Sequence, residues 1–227
     1  VPGEPGTTLS TAVGTVADMP TALVTGASRG LGAAIARALA PTHDLLLGGR
    51  PSAELDALAA DLDGASTWPV ELTDHEEMEA ATEPISALDV LVHNAGVGAI
   101  GPVEDTYADE YRAMMEVNFI AVAELTRQLL PALRAAHGHV VIINSGAGRD
   151  AKPGWSAYAA SKFAVRAFAD ALRQEERDLR VTTVYPGRID TDMQRDIVAM
   201  EGDDYDGSRF LRVESVSYTH LTLPTSE

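Results

Sequence analysis

Thr25-Gly26-Ala27-Ser28-Arg29-Gly30-Leu31-Gly32, residues 25–32, is the stretch whose reading decides the fold. It follows Thr21-Ala22-Leu23-Val24, a short apolar run of strand type. Behind it, Leu31, Ile35, Ala38 and Leu39 recur at helical spacing. The three pieces read as a strand, a glycine-rich turn and the start of a helix. Glycines in such a turn let the backbone approach a ligand closely. The free N–H groups and the positive end of the helix dipole attract an anion such as a diphosphate.

Outward from this turn, strands and helices alternate. Strands are expected at Ala22–Thr25, Asp44–Leu47, Ser66–Val70, Val90–His93, His139–Asn144 and Val181–Tyr185. Helices are expected near 30–40, 52–62, 74–83, 107–136 and 156–178. Pro51-Ser52 and Thr73-Asp74 punctuate two of the helix starts, and Pro153-Gly154 marks a turn. This alternation implies an α/β fold, a doubly wound parallel sheet with helices on both faces.

A second constellation carries chemistry. In Tyr158-Ala159-Ala160-Ser161-Lys162 the tyrosine and lysine stand four residues apart, about one helical turn. An ammonium so placed favours the phenolate and is expected to lower the pKa of the tyrosine. Ser145 stands 13 residues before Tyr158, where it can hold a substrate oxygen within reach of the phenol.

Taken together, these motifs resemble the short-chain dehydrogenase/reductase family in its compact single-domain branch. The resemblance runs from about Thr21 to Thr191. It rests on TGASRGLG at 25–32, HNAG at 93–96, Asn118, Ser145, YAASK at 158–162 and PGRIDT at 186–191. It implies a Rossmann fold that binds a nicotinamide dinucleotide and transfers hydride between it and a carbonyl or secondary alcohol. The implied catalytic set is Asn118, Ser145, Tyr158 and Lys162, with Asn118 holding a water that links Lys162 to solvent. Gly26, Ser28, Arg29, Gly30, Leu31 and Gly32 would cradle the diphosphate. Glu71 and Leu72 match the adenine contact, although the family usually has Asp where Glu71 stands. Asn94, Ala95 and Gly96 match the segment beside the adenosine ribose, and Pro186, Gly187, Ile189 and Thr191 the segment that holds the carboxamide. Tyr158 and Lys162 also reach the nicotinamide ribose. His93 replaces a usual Asn and is read as structural. Candidates for the substrate rim are Ala147, Gly148, Trp155 and Met193, and residues 192–212 occupy the place of the family's variable lid.

The second strand bears on cofactor preference. It ends in Leu47-Gly48-Gly49-Arg50, with no carboxylate at the tip to bind a ribose 2′-hydroxyl. A guanidinium stands there instead, and it suits a 2′-phosphate by charge and by its fork of donors. Arg29 adds a second positive group. NADP(H) is therefore expected in preference to NAD(H).

Composition sets limits. The 227 residues carry 34 acidic against 17 basic side chains, a net charge of −17. That disfavours nucleic acid and anionic membranes as partners. There is no Cys, and no ligand cluster suggests a metal. No apolar run approaches a membrane span and the N-terminus lacks signal-peptide features, so the cytoplasm is expected. Residues 1–18 read as a disordered extension before a domain covering 19–215. Residues 216–225, VSYTHLTLPT, resemble a translated sequencing adapter, so 216–227 are expected to be an artefactual tail. On that reading the domain lacks the family's last helix and edge strand. A homodimer through the helices near 107–136 and 156–178 is expected. A non-catalytic NADP-binding regulator and an inactive fragment are the rival readings.

Overall fold

The computed structural model describes residues 19–216; the expectations for 1–18 and 217–227 lie outside the described residues. Six strands are present: β1 Thr21–Thr25, β2 Asp44–Gly49, β3 Ala65–Pro69, β4 Val90–His93, β5 His139–Ile143 and β6 Arg180–Val184. Among the described residues the helices α1 Gly30–Leu39, α2 Ala53–Asp61, α3 His75–Thr82, α4 Ala108–Met115, α5 Ala121–Ala136, α6 Ser156–Glu175 and α7 Asp192–Glu201 accompany them. The strands form one parallel sheet in the order β3-β2-β1-β4-β5-β6. The chain order reverses between β1 and β4, and a crevice at such a switch point is where open α/β sheets bind ligands.

Strand alternation divides the core. Leu23, Leu91, Val140 and Ile142 face one side, where Met78, Leu125, Leu129, Leu133, Val165 and Ala169 from α3, α5 and α6 cover them. Ala22, Val24, Val92, Val141 and Ile143 face the other, beneath Ile35 and Leu39 of α1 and Leu55 and Leu58 of α2. Val216, the first residue of the adapter-like stretch, is buried in this second cluster. Register keeps each face in line: Leu23 pairs with Leu46 and Leu91, and Val141 with Thr182. Burying both faces explains why these strands read as near-continuous apolar runs.

Sequence punctuation acts as expected at two helices. Ser52 accepts a hydrogen bond from Leu55 N (3.2 Å) and Asp74 one from Glu77 N (3.0 Å), each capping its helix. Elsewhere the structure differs. The expected single helix over 107–136 is two helices, α4 and α5, joined by a π-helical turn at Glu116–Ile120. The wider turn accompanies Asn118, whose amide is bonded to the backbone of Val97. Single π turns of this kind mark functional sites often enough to note it. The lid region is also more ordered than its composition suggests, since it contains α7. Behind it, residues 203–212 return to pair Leu211 with Ile189, through Asp190 N to Leu211 O (2.8 Å) and Leu211 N to Arg188 O (2.9 Å). Among the described residues, no helix is long and apolar enough to cross a membrane.

The glycine turn is locked by backbone proximity. Gly26 has φ of +65°, and a Cβ on it would lie 2.9 Å from Ala95 Cα. A Cβ on Gly32 would lie 2.0 Å from the carbonyl oxygen of Gly26. Gly32→Ala is therefore expected to force the turn and α1 apart, at a cost of about 1–3 kcal/mol. A thermal melt should show a fall of several degrees; an unchanged melting temperature would contradict this packing.

Candidate active site

Every residue the motifs single out lies at the carboxyl end of a strand or on a helix beside it. Gly26 follows β1, Arg50 follows β2, Asn94 follows β4, Asn144 and Ser145 follow β5, and Pro186 lies just beyond β6. Parallel strands make this convergence automatic, because all their carboxyl ends point the same way.

The first half of the site is built around β1 and β4. Thr25 Oγ1 accepts from the N–H groups of Asn94 (3.0 Å) and Ala95 (3.1 Å). The Asn94 amide donates to the carbonyls of Thr25 (3.0 Å) and Gly26 (3.1 Å). Asn94 thus ties the glycine turn to the neighbouring strand. The N-terminus of α1 has no side-chain cap and no acidic residue in its first turn. Its N–H groups and dipole remain available to an anion, so these residues fit a dinucleotide diphosphate. Ala27 N bonds Gly48 O (2.9 Å), which sets the turn against the end of β2 and brings Arg50 near it. Arg50 is exposed and has no ion pair among the described residues. Arg29 makes a long, exposed pair with Asp192 (3.5 Å), linking the turn to α7. Glu71 turns its carboxylate to Thr73 N (3.2 Å) and Oγ1 (3.0 Å), closing a local turn after β3.

The second half holds the candidate chemistry. Asn118 is 1% exposed. Its Nδ2 donates to Val97 O (2.9 Å) and Ser161 Oγ (3.0 Å), and its Oδ1 accepts from Val97 N (2.9 Å). The side chain acts here as a clamp on the loop after β4. A Cβ on Gly96 would come within 3.0 Å of Asn118 Oδ1 and 3.7 Å of Lys162 Nζ, so this loop runs directly past both. Ser145 Oγ accepts from Ala147 N (3.2 Å), which fixes the oxygen and leaves its proton free to donate.

Tyr158 and Lys162 are 7% and 6% exposed, and they share one face of α6 as their spacing requires. The lysine nitrogen lies 5.7 Å from the phenol ring centroid and donates to Ile143 O (3.4 Å). The expected lowering of the tyrosine pKa is not what the ligand-free protein shows. Burial pushes the Tyr158 phenol up, and a hydrogen bond from Ser145 only partly offsets it. Burial also brings Lys162 down to about 8, which still leaves it largely protonated at neutral pH. His93 is buried against Thr126 Oγ1 (2.9 Å) and held neutral, with its pKa brought down by burial to about 3. That agrees with a structural histidine.

Of the residues expected at the rim, Trp155 and Ala147 lie in one cluster with Tyr158. Trp155 stacks edge-on against Tyr158 with centroids 5.8 Å apart, and Ala147 packs in the same cluster. Around Gly98, Met193 Sδ, Tyr158 Cε2 and Ile197 Cδ1 converge. Gly148 is not on the rim: it is buried, and a Cβ there would strike Asn144 Oδ1 at 2.4 Å. Thr191 Oγ1 caps α7 by accepting from Gln194 N (3.3 Å), while its methyl side faces Gly30.

Two positioning residues were not singled out from the sequence. Asn144 is buried; its Oδ1 accepts from Ser145 N (2.8 Å) and its Nδ2 donates to Lys162 O (3.1 Å), so one amide spaces two members of the set. Ser161, inside the YAASK motif, takes the Asn118 bond and donates to Tyr158 O (2.8 Å). A polar residue ending the apolar run of β5 was the available sign for Asn144.

The sequence profile of the short chain dehydrogenase family matches residues 20–202. The chain is 36% identical over 199 residues to "Dehydrogenase/reductase SDR family member 7B" of Mus musculus, covering 81% of this chain and 62% of that protein. It is similar in structure to an alcohol dehydrogenase from Thermococcus sibiricus complexed with 5-hydroxy-NADP, with a TM-score of 0.82, 28% identity and coverage of 91% and 92% of the two chains. A short chain dehydrogenase from Burkholderia cenocepacia J2315 in complex with NADP gives a TM-score of 0.78 at 28% identity, over 90% and 83% of the chains. The chain belongs to the short-chain dehydrogenase family, a family of nucleotide-binding oxidoreductases built on the Rossmann fold.

The buried lysine makes a pH prediction. Its folded pKa lies below the ordinary 10.5, so between about 8 and 10.5 the unfolded chain binds more protons than the folded one. Stability contributed through Lys162 therefore rises with pH across that window, and burying the charge costs stability below it. Lys162→Met is expected to melt a few degrees higher than wild type at pH 7 without ligand. The gain should shrink above pH 8. A variant that melts lower at pH 7 would show that the ammonium is a net stabiliser.

Proposed function

We propose that this chain is an NADPH-dependent oxidoreductase that interconverts a carbonyl compound and the corresponding secondary alcohol. The observation that carries the reading is the half-buried Ser145 beside the buried Tyr158 and Lys162, gathered at the carboxyl end of β5. NADPH, when bound, supplies the hydride taken up by the carbonyl carbon. The remaining work falls to side chains. As charge grows on the carbonyl oxygen, Ser145 donates a hydrogen bond to it and Tyr158 passes it the phenolic proton. The carbonyl thereby gains one hydride and one proton. Burial supports this direction of use, since it keeps the phenol protonated until an acceptor arrives. Lys162 brings its ammonium to the ribose hydroxyls of the nicotinamide half and stabilises the phenolate left behind. Asn118 holds the 96–97 loop and Ser161 in place around them.

The preference for NADPH rests on Arg50, exposed at the tip of β2 without a carboxylate partner, with Arg29 on the adjoining turn. Several structural relatives were crystallised with NADP or NADPH, which agrees with it. A purely regulatory nucleotide binder has no use for a buried lysine beside a buried phenol, so the catalytic reading is favoured. The partner is a small carbonyl or alcohol compound, met in the cytoplasm. Exposed Ile120 and Phe163, at the π turn and on α6, suit pairing of two copies through the long helices.

Two variants test this reading. Tyr158→Phe is expected to lose turnover by about 10²–10⁴-fold while still quenching on NADPH titration. Steady-state reduction equal to wild type, in a screen of carbonyl compounds, would refute the assignment. Arg50→Asp is expected to weaken NADPH far more than NADH, because it places a negative charge beside the 2′-phosphate. Equal wild-type affinity for the two cofactors at low salt would refute the preference.

A further inference from the structure

Gln194, in the first turn of α7, is 6% exposed, and its Nε2 has no hydrogen-bond partner among the described residues. It is the single buried side-chain nitrogen or oxygen there in that condition. Buried polar groups are almost always paired, and one left unpaired costs about 1–3 kcal/mol. A free amide donor at this depth therefore points to an acceptor that arrives with a ligand. Its surroundings say which ligand. Two residues of the same turn make the contacts: Thr191, which caps Gln194 N, packs toward Gly30, and Met193 lies with Tyr158 around Gly98. Gln194 stands on the buried face of α7, three residues after the Thr191 cap that packs toward Gly30 and next to Met193, which reaches Tyr158. This turn therefore spans from Gly30, at the start of α1, to Tyr158, the two ends that a bound dinucleotide would join.

We propose that Gln194 is a cofactor-binding residue, whose Nε2 donates to an acceptor oxygen of the nicotinamide mononucleotide half of NADPH. The inference rests on the dinucleotide reading above and adds to it a contact that couples α7 to the cofactor. With the donor satisfied only when the cofactor is bound, α7 is held over the cleft more firmly in the complex than in the free chain.

The test uses the full chain and equilibrium binding. Wild type is first titrated with NADPH by its fluorescence; absence of binding at this stage overturns the dinucleotide reading itself. Gln194→Met keeps the length and removes the donor. It is expected to weaken NADPH by roughly tenfold to a hundredfold. The ligand-free melting temperature should stay level or rise, since an unpaired group has been removed. Binding of 2′,5′-ADP, which lacks the nicotinamide half, should not change. Gln194→Glu, with an acceptor in place of the donor, should lose at least as much NADPH affinity. An unchanged NADPH affinity in Gln194→Met overturns the proposal, including when only the KM of a carbonyl substrate rises. Equal losses for NADPH and 2′,5′-ADP, or a clear fall in the ligand-free melting temperature, also overturn it, because the amide would then serve the fold.

Discussion

The side-chain amide of Asn118 is the interaction on which the site depends. It reads both polar groups of Val97 and the hydroxyl of Ser161, so a single planar group joins the loop after β4, the π turn and α6. Asn118 and Ser161 are themselves buried, where an unmade bond costs more than a made one contributes. Ser161 in turn bonds the carbonyl of Tyr158, and Asn144 bonds the carbonyl of Lys162. Two asparagines therefore hold the backbone of α6 at the two positions that carry the phenol and the ammonium. The π turn is part of the same arrangement: an extra residue in the helix accompanies an amide aimed across the helix and not along it.

A second constraint is steric. The glycine turn works because nothing stands between the Gly26 carbonyl and Gly32, or between Gly26 and Ala95. Closeness of backbone to backbone leaves the first turn of α1 uncapped by any side chain, and so open to an anion. The apolar sheet beneath holds the turn rigid, with Leu23, Ala22 and Val24 wholly buried. Position and chemistry are thus separable here: the sheet sets where the donors stand, and the absence of side chains leaves them unspent.

The sheet was legible from the sequence almost strand by strand, because buried parallel strands leave uninterrupted runs such as Val140 to Ile143. Helix periodicity placed α1, α2, α3 and α6 equally well. It could not show the break at Glu116–Ile120, because apolar residues continue across it and the cause is a long-range bond from Asn118. Nor could it show α7, whose acidic residues hide the buried stripe of Gln194, Ile197 and Val198. The motif residues come together at the carboxyl ends of the strands. Their electrostatics were not legible: spacing alone places an ammonium near Tyr158 and predicts a lowered pKa, whereas depth of burial decides the sign. Burial is a property of the assembled fold, and no local pattern in YAASK records it. Asn144 was missed for a related reason, since its role depends on where the carbonyl of Lys162 arrives.

The return of residues 203–212 onto Ile189 has a mechanical consequence. One end of α7 is tied to the glycine turn through Thr191 and the Arg29–Asp192 pair, while its far end is gathered by Arg188 with Glu201. Tyr205 bonds Asp190 and stacks beneath Arg195, which pins the strap to the middle of the helix. These ties, several of them exposed and individually weak, act together against a hinged swing of the helix. They favour small displacements in which Met193 and Ile197 move together past Tyr158. Access to the cleft is then governed by a stiff bar whose small displacements are shared by every residue it bears, so the shape of the entrance changes in one correlated motion.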